Sequence, residues 1–176
     1  MRKLLVAGLS ALCLIAFVGA VQAAWDPNAE QKAQEAIADF KKADPGIEQF
    51  FNESYGYAVF PGVGKGAVGI GGARGSGVVY EQGNAIGTTT LTQVTVGLAL
   101  GAQSFRQVVF FEDKETLDRF KAGKFEFAAQ ASAVAATKGA SANAAYTNGV
   151  AVFTVAKGGL MFEAAIGGQK FSFEAK

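Results

Sequence analysis

Histidine is absent from the 176 residues and cysteine occurs once, at position 13. These gaps remove imidazole acid–base chemistry and the usual nitrogen and sulfur ligands of structural zinc. Cys13 lies in an apolar stretch behind Ser10-Ala11-Leu12, where a lipid-attachment signal would want a small residue directly before the cysteine. The chain beyond it has no thiol and forms no disulfide, so its stability has to come from packing. Excess charge is also missing, with 16 basic against 15 acidic residues. A balance of that kind gives no global attraction to nucleic acid or to an anionic membrane, and any such binding needs a local basic patch.

What is present begins with an export pattern. Arg2 and Lys3 precede an apolar run from Leu4 to Val18, and Val21-Gln22-Ala23 is a small-x-small step suited to cleavage after Ala23. The run falls short of the roughly 20 apolar residues of a spanning helix. The reading is a signal peptide over 1–23 and a periplasmic destination. Without Arg2 and Lys3 the basic count falls from 16 to 14 and the net charge becomes −1. The remaining chain of about 150 residues is long enough for one core, so 24–176 is expected to be one folded unit, with a helical segment at 24–54 packed on a β-rich part at 55–176.

Asp26-Pro27 reads as a cap followed by proline in the first helical turn, and Ala33, Ala36, Ile37 and Phe40 recur at helical spacing. This predicts an amphipathic helix over 27–43, stopped by Asp44-Pro45-Gly46. From Tyr55 onward glycine, β-branched and aromatic residues alternate in short runs, which is strand composition. Ala67, Gly69, Gly71 and Ala73 are expected to form a nearly bare face of one strand, and 92–102 another half-buried strand. Val108-Val109-Phe110-Phe111 belongs at the centre of the core. Glu112 to Lys121 reads as a short helix, with Gly123 as its stop. The segment 125–145 is ambiguous between alternation and the helix preference of its alanines. Asn148-Gly149 signals a hairpin, and Phe171 and Phe173 a last strand. AVF, KG and IGG occur twice, from Ala58, Lys65 and Ile70 and again from Ala151, Lys157 and Ile166. That echo suggests two related β-units paired in one sheet.

Several familiar patterns fail on context. Gly64-Lys65-Gly66-Ala67-Val68-Gly69 spells a dinucleotide fingerprint, but strand alternation and further glycines follow where a helix should open. Neither Lys65 nor Lys124 has the glycine spacing of a phosphate loop. No serine after residue 23 has a lysine three positions on, and Thr154 and Lys157 would fall on opposite faces of a strand. The carboxylates Glu112, Asp113, Glu115 and Asp118 lack calcium-loop spacing and suit a helix N-terminus. No enzyme activity, metal or cofactor is therefore expected. An outer-membrane barrel is disfavoured by the two helical segments and by an end that runs past Phe173 to Lys176.

The run SYGYAVFPGVGKGAVGIGGARGSGVVY, from Ser54 to Tyr80, closely resembles the opening of the SYLF domain. Gly97 to Gln103, the VVFF stretch with its helix ending at Phe120, and Lys157-Gly158-Gly159-Leu160 continue the resemblance, which spans about 55–173. The resemblance implies a lipid-binding domain whose eukaryotic relatives bind phosphoinositides and, in yeast actin-patch proteins, actin filaments. The expected function is a periplasmic, non-catalytic module that binds an anionic phospholipid or a phosphoinositide-like headgroup at a membrane surface. The fold expected is α+β, a curved, barrel-like antiparallel sheet flanked by the N-terminal helix and a short second helix. Lys65 and Arg74 are the expected phosphate contacts, joined by Lys157, Lys41 and Lys42. Gly62, Gly64, Gly66, Gly69, Gly71 and Gly72 form the expected glycine-rich loop, as an anion nest or to allow close packing. Lys121 and Lys124 are further basic positions. Nucleotide and nucleic acid are not expected partners. The competing reading is an envelope structural or interaction protein that docks another protein on an open sheet edge or apolar patch. Carriage of a lipid inside the barrel is a third.

Overall fold

The computed structural model describes residues 27–68, 70–96, 101–127, 132–157 and 164–176. The expected signal peptide, 1–23, lies outside them, as do Gly69, 97–100 and the late glycines at 158–159.

Helix α1 runs Pro27–Ala43 and buries Ala33, Ala36, Ile37 and Phe40, the four positions that the spacing marks. Asp44 ends it and caps a 3-10 turn, Pro45–Ile47, which leads into α2, Glu48–Glu53. The Asp44 carboxylate also reaches far along the chain. It accepts hydrogen bonds from the backbone N–H of Gly46 at 3.2 Å, Gly139 at 3.1 Å and Ser141 at 2.6 Å. Helix α3, Lys114–Lys121, is capped by Asp113, whose side chain accepts from Thr116 N–H at 2.8 Å.

Among the described residues eight strands form the sheet: β1 Gly56–Val68, β2 Ile70–Glu81, β3 Asn84–Val96, β4 Gly101–Phe111, β5 Ser132–Ala135, β6 Val150–Ala156, β7 Ala164–Ala165 and β8 Lys170–Ala175. Their spatial order is β7-β5-β6-β4-β1-β2-β3-β8. Every pairing is antiparallel except β5 with β6. The turns at Gln82-Gly83 (φ 47° and 82°) and Asn148-Gly149 (φ 53° and 81°) place both residues in the left-handed region that a tight hairpin demands.

Alternation sorts the side chains into two apolar layers. On the α1 face, Val59, Val78, Tyr80, Val108, Phe110 and Phe153 meet α1 and Ile47. On the other face, Phe60, Val79, Leu91, Val109, Phe111 and Phe171 meet Leu117 and Phe120 of α3. The second layer shows the curl of the sheet. Phe171, from the last strand in spatial order, lies 5.8 Å from Phe60 and 5.6 Å from Phe127, ring to ring. Phe127 in turn shares its cluster with Ala133, Val150 and Val152 near the opposite edge. The sheet thus curves around one interior without strand pairing between its edge strands β7 and β8 among the described residues. The α+β, barrel-like expectation holds. Within that interior Gln107 and Gln169 exchange hydrogen bonds of 2.8 and 3.1 Å, and Gln93 donates to Gly167 O at 2.9 Å, so buried amides satisfy one another.

Three local expectations need correction, and the open reading of 125–145 is decided. The glycine run through 67–73 is not one strand, because β1 and β2 pair with Val68 opposite Ile70. Residues 92–102 are likewise divided, ending β3 and beginning β4, which are not neighbours. Period-2 alternation carries no mark of where a chain reverses, and glycine suits both a strand and a turn. In the alanine-rich segment, Ser132–Ala135 is a strand and Ala140–Asn143 a 3-10 turn. Pairing with β6 overrides alanine's helix preference there. The AVF echo is not a structural repeat. Both copies flank β4, but Ala58 faces the interior layer and Ala151 the α1 layer, one residue out of phase.

Candidate functional site

On the α1 face, the sheet continues beyond the apolar layer into a strip of mainly glycine, hydroxyl and charged residues. In β2, Arg74 and Ser76 follow the same alternation as Val78 and Tyr80 and therefore project on this face. Arg74 pairs with Gly64 of β1 and Ser76 with Gly62, while Ser76 and Val78 pair on the other side with Thr90 and Thr88 of β3. Arg106 follows the alternation of Val108 and Phe110 in β4. Lys157, just past β6, is held by its backbone N–H on Ser104 O at 2.9 Å. The N-terminal half of α1 adds Ala29, Lys32 and Glu35 as one wall. The result is a half-open cleft of about 940 Å³ with a floor of glycine and short hydroxyl side chains.

Four cations, Lys32, Arg74, Arg106 and Lys157, line the cleft against one carboxylate, Glu35. Arg106 is tied to Asp39 of α1 at 2.8 Å. Its Nε is buried with no hydrogen-bond partner among the described residues. Among those residues Lys32, Arg74 and Lys157 form no ion pair. Uncompensated cations around a polar, water-accessible hollow attract a polyatomic anion, and Ser76, Thr88 and Thr90 add neutral donors beside it.

The glycines divide by what surrounds them. A Cβ on Gly64 or Gly66 would meet nothing within 4 Å, and one on Gly62 only the Lys157 ammonium at 3.7 Å. Of these three, Gly62 lines the cleft, and its missing side chain keeps the floor open beside Lys157. A Cβ on Gly75 would press on Gly62 O at 2.9 Å, and one on Gly72 on Gln93 O at 3.3 Å. Those positions serve close packing. Gly71 is buried on the interior face, and Gly69 lies outside the described residues.

Of the expected cations, the structure brings together Arg74 and Lys157. Lys65 pairs with Ala73 and Gln103, so it projects on the interior face, away from Arg74. The two expected phosphate contacts cannot share one anion, because residues next to a paired position alternate across the sheet. Lys41 sits at the far end of α1, bonded to Glu48 at 2.9 Å and 5.6 Å from the centre of the Phe51 ring. Lys42 is exposed in the same last turn, and neither lysine lines the cleft. Lys121 is occupied by Asp118 at 3.1 Å and Glu81 at 3.6 Å. Lys32 and Arg106 were not expected. Arg106 had one legible signal, as the single charge of β4 and at the phase of Val108 and Phe110. Among the described residues there is no cluster of three or more potential metal ligands.

Comparison with known proteins covers part of this architecture. Residues 92–176 match the family described as Ysc84, Las17-binding protein actin regulator. Over 141 residues the chain is 29% identical to Beta cell expansion factor A of Aeromonas veronii. That alignment takes in 79% of this chain and 53% of the relative, so the chain spans about half the relative's length. The matched segment contains Arg106 and Lys157, while Lys32 and Arg74 come from upstream. Residues 92–176 are thus similar to the Ysc84 family, and the run from Ser54 to Tyr80, upstream of that match, resembles the opening of the SYLF domain.

Proposed function

We propose that this protein is a non-catalytic binding module whose α1 cleft holds the phosphate of an anionic phospholipid, at the surface of a periplasmic membrane. The observation that carries the reading is convergence. Arg74, Arg106, Lys157 and Lys32 come from β2, β4, the end of β6 and α1, and meet over a glycine floor in a chain with a net charge of only +1. Arg74 and Lys157 are the primary phosphate contacts, since neither has a carboxylate partner among the described residues. The hydroxyls of Ser76, Thr88 and Thr90 suit the polyol part of a glycerol or phosphoinositide-like headgroup. No helix among the described residues is long and apolar enough to cross a membrane, and surface attachment through a headgroup requires none.

Co-sedimentation with neutral and anionic vesicles at low and high salt tests this. Binding should require anionic lipid and weaken with salt. Each basic residue at a membrane surface contributes about 1 kcal/mol, so Arg74→Ala with Lys157→Ala should weaken binding by roughly 30-fold. Lys65→Ala, on the opposite face, should leave it unchanged. A cleft double variant that binds as the parent does would sink the assignment.

The Asp39 bridge supplies a test with the opposite sign. Asp39 holds Arg106 at 2.8 Å from the wall of the cleft. Asp39→Asn removes that competitor and should raise affinity for anionic vesicles severalfold in the same assay. Unchanged or reduced binding would show that Arg106 does not face the lipid.

A further inference from the structure

The curled sheet leaves a lateral seam. The segment around Glu126 runs beside β8, with Glu126 bridged to Lys170 and Gly168 N–H donating to Phe127 O at 3.1 Å. Its other side faces the start of β6, and no hydrogen bond between Phe125–Phe127 and Val150–Val152 exists among the described residues. Between these two edges lies a recess of about 700 Å³, within the roughly 300–1,000 Å³ range of small-molecule sites. Phe125, Phe127, Val150, Val152 and Ile166 line it. All but Phe125 belong to the buried interior cluster, and Phe125 packs against it, so the recess opens directly onto the core.

Its mouth is basic. Arg119 and Lys124 stand on the rim. Lys124 has no ion-pair partner among the described residues, and Arg119 bonds only to the neutral Thr116 hydroxyl at 3.5 Å. The one rim carboxylate, Glu126, faces Lys170 at 3.6 Å. A recess with an apolar floor of Phe125, Phe127, Val150, Val152 and Ile166 and two available cations at its mouth is complementary to a single hydrocarbon chain that ends in an anionic group. It lies apart from the α1 cleft and shares no residue with it.

We propose that the seam is a second ligand site, which takes one fatty acyl chain into the barrel interior with its anionic head on Lys124 and Arg119. This stands independently of the headgroup reading, because a free fatty acid needs neither the cleft nor a membrane.

The test uses the protein recovered after expression of its full coding sequence and the fluorescent fatty acid cis-parinarate, kept below its aggregation concentration. Fluorescence should rise on binding and be reversed by palmitate, not by inorganic phosphate or glycerol phosphate. Affinity should grow roughly fourfold per added methylene until the seam is full. Ser132→Trp and Ala145→Trp, exposed rim positions, should each abolish binding while the melting temperature stays within about 2 °C. Lys124→Glu should weaken palmitate at least fivefold and leave 1-hexadecanol unchanged. The Arg74→Ala, Lys157→Ala variant should bind palmitate as the parent does. Absence of binding, or binding indifferent to both tryptophan variants, overturns the site. Loss of binding in the cleft variant also overturns it, by assigning the chain to the cleft.

Discussion

Gly77→Ala should lower the melting temperature by about 6–12 °C, whereas Gly64→Ala should leave it within about 2 °C. The two glycines lie in adjacent strands, and sequence gives no reason to treat them differently. Gly77 projects on the interior face, where an added Cβ would overlap the carbonyl oxygen of Val59 and approach Phe60 Cδ1 to 2.8 Å. Val59 belongs to β1, which pairs with β2 on both sides of a bulge, and Phe60 is fully buried against Phe171. Neither neighbour can retreat without breaking a strand pairing or displacing a ring from the core. Overpacking of this kind costs typically 1–3 kcal/mol. At the upper end of that range, with roughly 2–4 °C per kcal/mol for a chain of this size, the stated shift follows. Gly64 has open space at the same position. Its replacement removes only backbone freedom from the unfolded chain, which is neutral or slightly stabilising. Circular dichroism melts of both variants decide the matter. Equal, small shifts would mean that the β1 bulge yields to the added methyl.

The contrast shows what composition could and could not reveal about the site. That glycines between 62 and 77 bring something close is legible in the sequence. Which of them face a backbone and which face solvent depends on the Val59/Gly62 register shift in β1, and one extra residue there changes the face of everything after it. Lys65 illustrates the consequence, for it is next to Gly64, the partner of Arg74, and yet projects to the opposite side. Arg74 and Lys157 were legible because each lies in or beside a glycine-rich strand end. Lys32 was not, and Arg106 only as a lone charge at an apolar phase, since helical and strand periodicity place them on faces without saying which two faces meet. The helices were read correctly for a physical reason. Their signals, Asp44-Pro45-Gly46 after α1 and Asp113 before α3, are local hydrogen-bonding devices that need no knowledge of the fold. In 125–145 the deciding contact, Val134 opposite Phe153, is made with a strand still to come.

Asp44 is the position where a local stop signal conceals a long-range tie, and its removal should be among the most damaging single changes in the protein. The side chain is 1% exposed. Burial opposes its ionisation, but the Ser141 backbone N–H and hydroxyl, with the N–H groups of Gly139 and Gly46, outweigh it and hold the carboxyl below its usual range. Asp44→Ala leaves those three N–H donors without the carboxylate and uncouples the end of α1 from the turn at Ala140–Asn143. With about 1–3 kcal/mol for each buried donor left unsatisfied and partial rescue by water, a loss of roughly 3–5 kcal/mol is expected. Asp44→Asn keeps one acceptor oxygen but turns an N–H₂ group toward one of the donors, so it should cost less, roughly 2 kcal/mol. The pH dependence separates the charge from the hydrogen bonds. Because the folded-state pKa is depressed, the stabilisation from ionised Asp44 is complete above the unfolded value near 3.8 and is lost as pH falls through the lower, folded one. Urea titrations at pH 7, 5, 4 and 3 should therefore show a gap between the parent and Asp44→Asn that is constant from pH 7 to 5 and narrows toward pH 3. A gap that did not change with pH would mean that the carboxylate contributes through shape and hydrogen-bond count alone, without its charge.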